Sequence, residues 1–140
     1  MSSSSSITRI RALIPVSYRR AAPIPTAGAE GRDVARVLIS EPHPDCRALL
    51  ELVVRRVGHD PLGQGELAEG DDPGLLILEP ASADGLALAR RLRRRFEGLP
   101  IICTSIRPPS AVTETLQPAA YLVKPFRLAE LEAALTASLR

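Results

Sequence analysis

Tryptophan is absent from this chain, and two tyrosines with two phenylalanines are its whole aromatic content, 3% of 140 residues. The core must therefore be aliphatic, built from Leu, Val, Ile and Ala. So few aromatics offer little for the bases of single-stranded nucleic acid to stack on. Cysteine is almost as scarce: Cys46 and Cys103 are too few for a disulfide framework and read as reduced thiols, as in a cytoplasmic protein. No apolar run reaches the roughly 18 residues that span a bilayer. The longest early apolar patch, Ala12 to Val16, falls short of the about 7–15 residues of a signal-peptide core. Rarest of all is lysine. Of 18 basic side chains, Lys124 alone is not arginine.

What is present is ordinary in amount, with 45% hydrophobic and 24% charged residues, as in a globular protein with room for one compact domain. The formal net charge of +2 is unevenly placed. Residues 1–34 hold five arginines against Glu30 and Asp33, whereas residues 35–140 hold 13 basic and 14 acidic groups. The latter part is not a polybasic nucleic-acid binder by charge, and DNA is not an expected partner. Five serines at positions 2–6 and an Ala, Pro, Gly and Thr-rich stretch at 21–31 carry no sustained hydrophobic period. Residues 1–34 are accordingly expected to be a disordered extension, and 35–140 a single domain.

Within that domain, short wholly apolar runs alternate with helical patterns. Ala35 to Ser40 reads as a buried parallel strand. Cys46, Leu49, Leu50, Val53 and Val57 then recur at helical spacing, with Pro44 at the helix start and Gly58 closing it. Gly58 to Gly74 offers a weak strand and at most one helical turn. Leu75 to Leu78 is a second strong strand. Asp84 is expected to cap a helix carrying Leu86, Ala89, Leu92 and Phe96. Pro100 to Ser105, a short helix within Ser110 to Gln117, a strand at Ala120 to Val123 and a helix from Leu128 to Leu139 complete the series. This alternation predicts an α/β fold, a doubly wound parallel sheet of five strands. Function in such sheets gathers at the carboxyl ends of the strands. There the sequence supplies Glu41, Glu79, Ser105 and Lys124.

Several short segments resemble the receiver domain of two-component response regulators, over Arg36 to Arg140. They are Val37-Leu38-Ile39-Ser40-Glu41 followed by Pro44-Asp45, then Asp84-Gly85-Leu86, Pro100-Ile101-Ile102 leading to Ser105, and Tyr121-Leu122-Val123-Lys124-Pro125-Phe126. The resemblance implies a flavodoxin-like fold and a place in phosphorelay signal transduction. It also implies a role for each matching position: Glu41 in an acidic pair that holds magnesium, Glu79 at the phosphoacceptor position, Ser105 and Lys124 on the phosphoryl oxygens, and Tyr121 as the switch aromatic.

The departures from that pattern set the functional expectation. The phosphoacceptor position holds Glu79 rather than aspartate, and the second member of the acidic pair is Pro42, which has no side-chain ligand. The second and fourth helices are expected to be shortened, with Pro108 and Pro109 interrupting the loop before the latter. An acyl phosphate forms when a carboxylate is held in line with the donor and magnesium neutralises the charge. The longer glutamate arms and the missing ligand make magnesium binding weak or lost. The expected protein is a pseudo-receiver: not an enzyme, needing no cofactor, and acting as a protein–protein interaction module toward a sensor kinase or output protein. Two alternatives stand beside it: weak magnesium-dependent phosphotransfer at Glu79, or a small ligand in the vacated metal pocket between Glu41 and Lys124. Lys124 and Glu79 are expected to pair, with Ser105 donating to the same carboxylate and Tyr121 packed to match.

Three further features have plainer readings. Arg90, Arg91, Arg93, Arg94 and Arg95 read as a solvated helix face, with an acidic partner or RNA as the alternative. His43, before Pro44, reads as a helix cap or an exposed residue. Gly63-Gln64-Gly65 lacks the rest of a dinucleotide fingerprint and reads as a loop.

Overall fold

The computed structural model describes residues 34–68 and 70–139; the expectation for residues 1–33 lies outside them. Strand β1 (Arg36–Ser40) leads through helix α1 (Pro44–Arg56) to β2 (Asp60–Gly63). A 3-10 turn (Gln64–Glu66) and a loop reach β3 (Leu75–Leu78), then come α2 (Ala83–Arg95), β4 (Ile101–Ser105), α3 (Ala111–Glu114), β5 (Ala120–Val123) and α4 (Leu128–Ser138). All four strand pairings are parallel, in the order β2-β1-β3-β4-β5. The five-stranded doubly wound sheet expected from the sequence is the one observed.

Period-two alternation sends successive strand residues to opposite faces. Val37, Ile39, Leu75, Ile77, Ile102, Ala120 and Leu122 meet Leu50, Val53 and Val54 of α1 and Leu131, Ala134 and Leu135 of α4. Leu38, Leu76, Leu78, Ile101, Cys103, Tyr121 and Val123 meet Leu88, Ala89 and Leu92 of α2. Because both faces are covered, the strands are apolar throughout and almost wholly buried. Cys103 sits at the centre of the second layer, where desolvation pushes its thiol up to about 12.

Two local expectations are corrected, and the single helical turn expected between the second and third strands is found. Ser82, not Asp84, caps α2: its side chain accepts from the Gly85 amide at 3.2 Å, and Asp84 lies in the first turn. The buried face of α1 is Leu50, Val53 and Val54, while Leu49 is exposed and Cys46 half-buried. Apolar residues occupy so much of that helix that spacing alone does not choose the face. Between β2 and β3 no α-helix forms among the described residues. The 3-10 turn takes its place, held by the Gly63 amide donating to Glu66 Oε1 at 2.7 Å and the Ala68 amide donating to Asp71 Oδ2 at 2.7 Å. Asp71 also pairs with Arg36 at the start of β1, which ties the loop to the sheet.

Candidate functional site

The carboxyl ends of β1, β3, β4 and β5 are level because their ladders are in register: Ser40 faces Leu78, Leu78 faces Cys103, and Ser105 faces Val123. The ladder runs one residue further, with the Glu79 amide donating to Ser40 O at 3.0 Å and the Lys124 amide to Ser105 O at 2.8 Å. The backbone thereby fixes Glu79 and Lys124 just past β3 and β5, and Glu41 follows β1 directly.

Lys124 Nζ lies 2.9 Å from Glu41 Oε1 and 2.9 Å from Glu79 Oε1, so one ammonium bridges two carboxylates. The expected partner, Glu79, is joined by Glu41. The two glutamates are 5% and 8% exposed, a depth at which unpaired charges are strongly disfavoured. Their outer oxygens are used as well: Glu41 Oε2 accepts from the His43 amide at 3.2 Å, and Glu79 Oε2 from the Ala81 amide at 3.0 Å. Burial alone would lower the pKa of Lys124, but the hydrogen bonds to Glu41 and Glu79 and their negative charge outweigh it and hold the pKa above the ordinary lysine range. Cys46 borders the bridge, and its thiol is raised, first by desolvation and then by the charge of Glu41.

The other candidate residues are close by but differently engaged. Ser105 Oγ accepts from the Arg107 amide at 3.2 Å and does not donate to Glu79, contrary to expectation. The chain turns sharply after β4, which makes its own following amide the nearest partner. Tyr121, 1% exposed, points inward, and its hydroxyl donates to the Arg107 carbonyl at 2.8 Å. His43 caps α1, with Nδ1 accepting from the Cys46 amide at 3.4 Å. Arg47 was not singled out by sequence: its guanidinium donates to the Glu41 carbonyl at 3.0 Å. The signal available was its place one turn into α1, on the side facing the strand end.

Magnesium, which the resemblance implies, does not fit these donors. It requires near-octahedral oxygen ligands. Here Pro42 supplies none, and all four oxygens of Glu41 and Glu79 already accept hydrogen bonds. No group of three or more His, Cys, Asp or Glu among the described residues is placed to hold a metal ion. The space between Glu41 and Lys124 is not vacant, because the ammonium is in contact with the carboxylate. An open cleft of about 420 Å³ lies instead toward β2, between Ser40, Glu41 and Pro42 on one side and Gly63 to Glu66 on the other.

Strand order and layer arrangement are those of the flavodoxin-like fold that receiver domains adopt. Solved structures with that fold superpose on this chain. The Vibrio cholerae chemotaxis protein CheY4 does so with a TM-score of 0.67 at 16% identity, over 76% of this chain and 100% of its own. A CheY-like response regulator receiver domain protein from Methanospirillum hungatei gives 0.67 at 19% identity, over 76% of this chain and 94% of its own. HP1043, described as an orphan response regulator of H. pylori, gives 0.61 at 20% identity, over 76% and 97%. No protein-family model matches the chain, and no curated protein sequence does. None of the helices in the described residues is long and apolar enough to cross a membrane.

Proposed function

We propose that this chain is a receiver-like signalling domain of a two-component system that acts by protein–protein contact without being phosphorylated. The observation that carries this reading is the Lys124 bridge. Phosphoryl transfer to a carboxylate needs an oxygen free to attack in line, with a cation to screen the incoming charge. In this site the oxygens of Glu79 are bonded to Lys124 and to the Ala81 amide. Attack would require breaking the bridge and placing a longer side chain in line, and a misplacement near 1 Å costs about a hundredfold in rate. Two carboxylates and one ammonium leave a single net negative charge, so the site persists in one state without a metal ion, and the inward Tyr121 stays hydrogen-bonded to the loop after β4. The domain is then a fixed docking module, not an enzyme, for a sensor kinase or output protein in the cytoplasm.

Incubation with acetyl phosphate and magnesium, followed by intact-mass analysis, tests this directly. The expected spectrum is unmodified protein, with no saturable binding of beryllofluoride. A phosphoryl adduct at Glu79 would establish the alternative, a working phosphoacceptor.

A further inference from the structure

Helix α2 carries five arginines over residues 90–95, and the structure divides them. Arg93 turns inward: Nε donates to the Leu99 carbonyl at 2.7 Å and Nη1 to the Leu116 carbonyl at 2.7 Å, fastening the helix end to the segments before β4 and after α3. Arg95 lies over the Phe96 ring, 4.9 Å from its centroid. Arg90, Arg91 and Arg94 are exposed and make no hydrogen bond or ion pair among the described residues.

Local structure does not account for these three. Arg90 and Arg94 stand four residues apart, as do Arg91 and Arg95, and like charges at that spacing destabilise a helix. The helix dipole favours cations only near the last turn. It covers Arg94 but not Arg90 or Arg91. Glu97, three residues after Arg94, forms no ion pair with it. Toward the start of the helix the same side bears exposed Ala83 and Ala87, which are small enough for another backbone to lie close.

We propose that this arginine face docks an acidic helical segment of a partner protein. Charge complementarity identifies the occupant: three guanidiniums within little more than one helical turn, each a planar fork suited to a carboxylate. A nucleic acid or an anionic membrane would spread its charge over a wider surface, and residues 35–140 hold 14 acidic against 13 basic groups. No aromatic stacking residue lies on this face for a base. The proposal rests on the reading of the domain as an interaction module and supplies the chemistry of its partner. The arginines occupy the far end of α2 from Glu79, so docking there requires no change at the Lys124 bridge.

Fluorescence anisotropy of a labelled helical peptide of alternating glutamate and alanine blocks, titrated with the full chain, tests the surface. The triple variant R90E/R91E/R94E should bind about tenfold or more weakly than wild type. A control with the same charge change on scattered exposed sites, R55E/R107E/R127E, should lose far less. Equal loss in both variants would overturn the proposal, because net charge alone would then account for binding. Tighter binding of a duplex DNA oligonucleotide or of phosphatidylserine vesicles than of the peptide would overturn it too. Circular dichroism checks folding, and R90Q/R91Q/R94Q is scored by the same criterion if charge reversal unfolds the chain. Phosphorylation of Glu79 would overturn the reading of the site while leaving this result standing.

Discussion

Two carboxylates buried side by side repel each other, and Lys124 is the residue that makes the arrangement stable. Arginine would bring a wider, planar head to the same place; the ammonium is a point charge that fits between Glu41 Oε1 and Glu79 Oε1 at 2.9 Å from each. Breaking a buried ion pair costs about 3–5 kcal/mol. The Lys124 side chain is 18% exposed, so Lys124→Met is expected near the lower end, about 3 kcal/mol by urea denaturation. Glu79→Gln should be milder, since the amide oxygen still accepts a hydrogen bond, and the two changes should be non-additive in a double-mutant cycle. The pH dependence follows from the raised pKa of Lys124. The folded chain holds this proton more tightly than the unfolded chain, so the stabilisation is complete below the ordinary value of 10.5 and is lost as pH rises through the folded value. Wild type and Lys124→Met should therefore keep a constant gap near neutrality and converge at strongly alkaline pH. A gap that persisted there would mean that the lysine contributes through its stem and not through its charge.

At the scale of elements, the start of α2 packs closely against the ends of β1 and β3. A Cβ added at Gly85 would lie 2.6 Å from Leu78 Cδ1 and 3.2 Å from both the Glu79 carbonyl and Ser40 Oγ. Alanine gains up to about 1 kcal/mol in helix propensity over glycine, while overpacking costs about 1–3 kcal/mol. Gly85→Ala should therefore destabilise on balance, with a lower denaturation midpoint; a raised midpoint would show that Leu78 swings aside freely. The elements themselves were largely legible in the sequence. Leu75 to Leu78 and Ile101 to Ser105 are continuous apolar runs because both sheet faces are covered, whereas a strand wetted on one face would alternate with polar residues. Which face α1 buries was not legible, since Leu49, Leu50, Leu52, Val53 and Val54 nearly encircle it. The cap of α2 was not legible either, because Ser82 and Asp84 both have capping side chains, and only backbone geometry separates them. At the site, Lys124 and Glu79 could be paired from strand order. The second partner, Glu41, lies 83 residues away, and its share depends on side-chain reach that no spacing encodes.

Taken whole, the molecule is unequal from one edge of its sheet to the other. β3 and β4 are flanked by strands on both sides and covered by full-length or capped helices. β2 pairs only with β1, includes Pro61, and is followed by a single 3-10 turn where a helix would otherwise lie. Proline supplies no ladder amide and is tolerated at such an edge. Beyond the packing of Leu62, this flank is secured by hydrogen bonds that the side chains of Glu66, Asp71 and Gln64 accept, in place of a second-helix stripe. The consequence concerns time as well as shape. Amide hydrogens report the free energy of the smallest opening that frees them, and β2, paired on one side only, can part from β1 by withdrawing Leu62 from the edge of the second layer while β3 and β4 stay paired. Hydrogen exchange should find the Leu62 amide at least about a hundredfold less protected than those of Ile77 and Ile102. Equal protection would mean that the loop seals this edge as firmly as a helix does. With the expected gradient, the sheet has a slow half that keeps the Lys124 bridge intact and a fast leaf that opens and recloses many times while the bridge holds.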